Sequence, residues 1–155
     1  MKNFADSLIQ TSIEKNTVLV VGLDPVVQNF PEFLLDEKKD SLEGIENAIF
    51  DFNRIIIDAV NEHVIAVKPQ LAFYEVYGSY GIKALERTIS YARSKGLIVI
   101  NDAKRNDIGP VCEAYASAHI GEGPLSVDAV TVNPYLGSDG IIPFIEKAKA
   151  NSKGI

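Results

Sequence analysis

Four short apolar runs recur along the chain: TVLVVGL (17–23), VIAVK (64–68), LIVIND (97–102) and VDAVTVN (127–133). They are continuous rather than half-polar. Strands of that kind are covered on both faces, as in a parallel sheet flanked by helices. The stretches between them carry helical patterning. A helix is expected at about 3–15, one from Leu42 to about Asn61 with Ser41 as N-cap, and others at about 79–94, 108–119 and 138–150. Gly96, closing SKG, suits the left-handed position after a helix. DPVVQNFPEFLLDEKKD (24–40) reads as a polar connection and GEGP (121–124) as a breaker. Strand and helix in strict succession predict a parallel α/β fold. The succession does not separate an open doubly wound sheet from a (β/α)8 barrel. The closing residues NSKGI echo RSKGLIVI at 93–100, where a strand follows. A fifth strand is therefore expected to begin at the chain's end, since a fourth strand left as a bare edge is an unfavourable place to stop. The expectation is that residues 1–155 form the N-terminal half, about four strand–helix units, of one (β/α)8 barrel domain of about 250 residues.

Chemistry in parallel α/β folds gathers at the carboxyl ends of the strands. Three of the four strands end in ionisable groups: VVGLDP brings Asp24 to the first tip, AVKPQ brings Lys68 to the second, and INDAKRND brings Asp102, Lys104 and Asp107 to the third. Side chains alternate along a strand, so Val20, Gly22 and Asp24 are expected on one face. The same count groups Val64, Ala66 and Lys68, then Asp102 and Lys104, then Thr131 and Asn133. The spacing Asp-x-Lys-x-x-Asp is a weak signal alone. Its placement is the stronger one, because Lys68 and Asp102 come directly after apolar strand residues.

The totals exclude several classes. With 46% hydrophobic and 23% charged residues the chain can bury a core, and its net charge of −6 argues against a nucleic-acid partner or an anionic membrane surface. No apolar run reaches the roughly 18 residues of a membrane span, and the N-terminus does not read as a signal peptide, so a cytoplasmic protein is expected. Cys112, the one cysteine, cannot form an internal disulfide and is read as packing. His63 and His119 are read as structural.

VGLDP, VKPQ, DAKRNDIG, EAYA (113–116) and TVNPYLGSDGIIPF (131–144) together resemble the orotidine 5'-phosphate decarboxylase family, in the style of its longer bacterial subgroup, over nearly the whole chain. The resemblance implies a (β/α)8 barrel making uridine 5'-phosphate in pyrimidine biosynthesis. It also implies a homodimer with sites at the interface, and neither a metal nor an organic cofactor. Carried over by position, the catalytic set is Lys104, Asp102, Lys68 and Asp107. Lys104 would stabilise and protonate the C6 carbanion, with Asp102 against the departing carboxylate or holding Lys104 charged and aimed. The substrate-binding set is Asp24, Lys68, Asp107, Ile108 and Asn133: Asp24 and Lys68 on the ribose, and Asp107 on the ribose of the neighbouring subunit's substrate. Asn133 and Thr131 are read as lining the pocket floor or, in preference, as core hydrogen-bonding groups.

One departure stands out. Relatives commonly read Ile-Gly-Ser-Thr where this chain has Ile108, Gly109, Pro110 and Val111, so a hydroxyl is missing at Val111. The pyrimidine-reading serine and the phosphate-binding residues of the family lie after the fifth strand, and Arg54, Arg87, Arg93 and Arg105 do not replace them. The 155 residues alone are accordingly expected to be inactive and to bind the nucleotide weakly. Two other readings stay open. One is a magnesium-dependent sugar-phosphate decarboxylase or aldolase, in which an acid stands where this chain has Lys68. The other is a barrel that has lost turnover.

Overall fold

The computed structural model describes residues 3–35 and 40–155. Helix α1 (Phe4–Lys15) is followed by strand β1 (Val20–Leu23), a 3-10 turn at Val27–Asn29 and the short helix α2 (Glu32–Leu35). Then come α3 (Leu42–Val60), β2 (Ala66–Pro69), α4 (Leu71–Glu75), α5 (Gly78–Ser94), β3 (Ile98–Arg105), α6 (Gly109–Ile120), β4 (Ala129–Val132), a 3-10 turn at Gly137–Gly140 and α7 (Ile142–Asn151). The strands form one parallel sheet in the order β1-β2-β3-β4. Residues 36–39 of the expected polar connection lie outside the described residues.

Alternation along the strands sorts side chains to two sides. Val21, Leu23, Val67, Val99 and Val130 face the helices, where they meet Ile49 and Ile57 of α3, Leu85 and Ile89 of α5, Cys112 and Ile120 of α6, and Phe144 of α7. Most of these are fully buried, and each such side chain contributes about 1.5–3 kcal/mol through removal from water. The opposite side holds Ala66, Ile98 and Ile100, on which Phe4 and Leu8 of α1 pack. Helix α1 is further tied down by Lys15, whose Nζ donates to the carbonyls of Asn61 (2.5 Å) and Val64 (3.0 Å).

The helix ends follow the local chemistry. Ser41 Oγ accepts the Gly44 N–H at 2.9 Å, capping α3 as expected. Gly96, at φ +73°, takes the left-handed position after α5. In NSKGI that position is taken two residues earlier, by Ser152 at φ 57°, so the echo of RSKGL does not hold residue by residue. Gly154 instead pairs in parallel with Ala129 of β4, and a Cβ there would come within 2.4 Å of the Phe4 ring. A fifth strand position thus forms beside β4, as expected, and the packing of α1 requires it to be glycine.

Several boundaries differ from expectation. β1 begins at Val20, because Thr17 still closes the α1 turn through Thr17 N–H to the Ser12 carbonyl (3.2 Å). Val64 packs with the helix-side core rather than on the Ala66 face. The pleat begins only at Ala66, and residues 64 and 65 still leave the preceding turn. Helix α7 starts at Ile142 because residues 137–140 form a 3-10 turn, and α4 was not expected at all. Among the described residues, no helix is long and apolar enough to cross a membrane.

His119 is buried in α6, with Nδ1 3.2 Å from Asn101 Nδ2 on β3. Burial, with Arg105 nearby, pushes its pKa down to about 4. A base whose folded pKa is depressed adds full stability above its unfolded value, about 6.5, and loses it as pH falls towards 4. Over that window the protein is expected to lose on the order of 3 kcal/mol. Urea midpoints at pH 7 and 4.5 will show this, and a His119→Gln variant should respond less steeply.

Candidate active site

Strand register builds the site. Gly22 of β1 pairs with Lys68 of β2, and Gln70, just past β2, bridges in parallel to Asp102 of β3. Asn101 pairs with Val130 on β4, which brings Thr131 beside Asp102. Side chains from the tips of three strands, β2, β3 and β4, therefore converge on one carboxylate. Asp102 Oδ2 accepts from Lys68 Nζ at 2.9 Å and from Gln70 Nε2 at 3.0 Å. Its Oδ1 accepts from Lys104 Nζ at 2.5 Å and from the Thr131 hydroxyl at 3.0 Å.

The residue is only 8% exposed. Burial alone would raise its pKa, but the hydrogen bonds from Lys104, Lys68 and Thr131 outweigh burial and hold it at about 2. The carboxylate is thus ionised at every physiological pH. With two ammoniums on one carboxylate, the triad carries one net positive charge, at the end of the strands where an anion would meet it.

Lys104 reaches Asp102 by a route that alternation does not describe. The β3–β4 register shifts between Asn101 and Arg105, a bulge, and Lys104 within it sits at φ 50°. A non-glycine residue in the left-handed region is strained, and such strain gathers at functional positions. The bulge turns Lys104 back so that its ammonium meets the carboxylate two residues before it. The side chain remains 60% exposed, leaving that ammonium accessible.

The other expected residues stand at the rim. Asp24 follows β1 and is exposed, its Oδ1 3.4 Å from where a Cβ on Gly22 would lie, so the two share a face as expected. Asp107 lies beyond β3 and accepts the Ile108 N–H at 2.8 Å; it is not part of the Asp102 cluster. Ile108 is the exposed N-cap residue of α6, and Pro110 occupies the first turn of that helix, where a missing N–H costs nothing. Asn133 is exposed and accepts the Tyr135 N–H at 2.9 Å, forming a turn. Gln70 was missed as a site residue, although it lies two residues after Lys68 and alternation puts it on the same face. Thr131, read as a core hydrogen-bonding group or as pocket floor, bonds the central acid.

The arginines are engaged elsewhere: Arg54 with Asp51 and Asp58, Arg87 with Glu46, Arg93 with Asp128, and Arg105 with Glu75. Cys112 is buried, its Sγ 3.4 Å from the Gly140 carbonyl, and burial raises its pKa, as suits a packing residue. A cavity of about 470 Å³, lined by Phe4, Arg93, Asp128 and Lys153 among others, lies at the opposite ends of the strands. Among the described residues, no three His, Cys, Asp or Glu side chains gather as a metal site.

Comparison with known proteins places the chain in one family. The family profile described as orotidine 5'-phosphate decarboxylase / HUMPS family matches residues 17–155. An orotidine 5'-phosphate decarboxylase of Caldicellulosiruptor saccharolyticus is 41% identical over 167 positions, taking in 100% of this chain and 55% of that protein. One from Rhodopirellula baltica is 42% identical, over 100% of this chain and 53% of that protein. A Streptomyces avermitilis crystal structure assigned as the same enzyme superposes with a TM-score of 0.83 at 37% identity, covering 99% of this chain and 52% of that one. Leishmania donovani OMP decarboxylase superposes with a TM-score of 0.74 at 30% identity, over 93% of this chain and 49% of that one. The chain spans about half the length of the curated relatives it matches.

Proposed function

The chain belongs to the orotidine 5'-phosphate decarboxylase / HUMPS family, and from that premise we propose that the protein converts orotidine 5'-phosphate to uridine 5'-phosphate in pyrimidine biosynthesis. Its fold class is the (β/α)8 barrel, of which these four strand–helix units make up about half. The observation that carries the reading is Asp102 clasped between Lys68 and Lys104 at the strand tips.

In the proposed reaction the bond from C6 to the carboxylate breaks and its electron pair stays on C6, in the plane of the ring, where no adjacent π system takes it up. The Lys104 ammonium stabilises that charge and then donates its proton to C6. Carbon dioxide and uridine 5'-phosphate leave, and Lys104 regains a proton from water. An unpaired carboxylate about 4 Å from the substrate's own would repel it by about 4 kcal/mol at an effective dielectric near 20. Both oxygens of Asp102 already face ammoniums, which favours its other role, holding Lys104 charged and aimed. Asp24 and Lys68 would take the ribose, with Ile108 and Asn133 at the edge of the pocket. Asp107, which accepts the Ile108 N–H, would serve the substrate of a partner subunit in a homodimer. The setting proposed is the cytoplasm.

Two ammoniums around one carboxylate leave a net positive charge that repels a divalent cation, which disfavours the magnesium-dependent alternative. Uridine 5'-phosphate formation by the full-length protein, with and without chelator, tests the proposal. Turnover indifferent to the chelator is expected. No turnover would overturn the proposal, and turnover lost on chelation would move the assignment to the magnesium-dependent class.

A further inference from the structure

We propose that Thr131 is a positioning residue of this site: its hydroxyl joins the strained backbone of Lys104 to the carboxylate of Asp102 and so aims the Lys104 ammonium at the reacting carbon. The inference rests on the decarboxylase reading and deepens it.

The Lys104 peptide N–H donates to Thr131 Oγ1 at 2.9 Å, and Thr131 Oγ1 donates in turn to Asp102 Oδ1 at 3.0 Å. The direction is forced, because a peptide N–H cannot accept and an ionised carboxylate cannot donate. Asp102 Oδ1 is also the atom that holds Lys104 Nζ, at 2.5 Å. The bonds close a circuit, from the Lys104 N–H through the threonine hydroxyl and the carboxylate oxygen to the Lys104 ammonium. One lysine is gripped at both ends.

The bulge explains why a side chain is needed. Ladder pairing passes from Asn101↔Val130 to Arg105↔Val132, so the N–H of Lys104 lies in the interrupted stretch, and Thr131 supplies its acceptor. The same hydroxyl thus stabilises a left-handed backbone that an L-residue seldom adopts and orients the acid that fixes the ammonium. Valine has the shape of threonine without the hydroxyl, whereas serine keeps it. The two substitutions therefore separate hydrogen bonding from packing.

In the full-length protein, Thr131→Val is expected to lower kcat for orotidine 5'-phosphate by about tenfold to a hundredfold with KM within about threefold, and Thr131→Ser to stay within about threefold of wild type. Carbon-13 NMR titration of the Asp102 carboxyl, assigned with Asp102→Asn, should move to higher pH in Thr131→Val and not in Thr131→Ser. Wild-type kcat in Thr131→Val would overturn the proposal. Equal losses in the valine and serine variants would do the same, since they would mean a merely structural role. If the wild-type protein does not turn over, the decarboxylase reading falls. The circuit is then judged on the titration, and an undisplaced Asp102 in Thr131→Val sinks it.

Discussion

Lys104→Ala in the full-length protein is expected to lower kcat for orotidine 5'-phosphate by at least about 10⁴-fold, because one group supplies both the charge facing the carbanion and the proton that quenches it. Each function is ordinarily worth two orders of magnitude or more in rate. The fold should lose only part of the stability that the cluster supplies: the Lys104 hydrogen bond helps to keep the buried Asp102 ionised, but Lys68, Gln70 and Thr131 still bond that carboxylate. Steady-state kinetics beside a denaturation curve separates the two effects. A variant that keeps its unfolding midpoint and also keeps kcat within tenfold of wild type would exclude Lys104 as the proton donor.

Asp102→Asn is expected to cost about three orders of magnitude in kcat and to cost more stability than the lysine change. The amide keeps the shape but leaves Lys68 and Lys104 converging with no anion between them. The stability effect has a defined pH window. A carboxyl whose folded pKa is depressed, here to about 2, contributes above its unfolded value near 4 and loses that contribution as pH falls towards 2. Wild type should therefore exceed the variant by about 2 kcal/mol at pH 7, and the difference should vanish near pH 2. Chemical denaturation at the two pH values measures it. A difference that persists unchanged in acid would show that the carboxylate's charge is not what stabilises the cluster.

The residues that meet at the strand tips were largely legible from position alone. Lys68 and Asp102 follow apolar strand residues directly, and a parallel sheet has one end at which such groups can gather. Gln70 was equally legible by the two-residue period and was passed over because a neutral amide does not stand out among charges. The backbone of Lys104 was not legible: plain alternation would already set Asp102 and Lys104 on one face, so nothing local announces the bulge or the left-handed φ. The role of Thr131 was hidden for the same reason, since its hydroxyl matters only where the ladder fails. Val64 was assigned to the wrong face because the start of a pleat depends on the turn before it, here held by Lys15 from another helix.

Local pattern, read residue by residue, carried the succession of strands and helices, the Ser41 cap, the left-handed Gly96 and the set of ionisable groups at the strand ends. These are properties of a few neighbouring residues, and period, capping and chain entropy express them within one element. The pairing of strands, the bulge in β3 and the choice of Asp102 as the acid shared by Lys68, Gln70, Lys104 and Thr131 came from the assembled sheet. Apart from that of Lys104, these contacts join residues about thirty positions apart, and which of them form depends on register and desolvation, neither of which exists until the strands lie side by side.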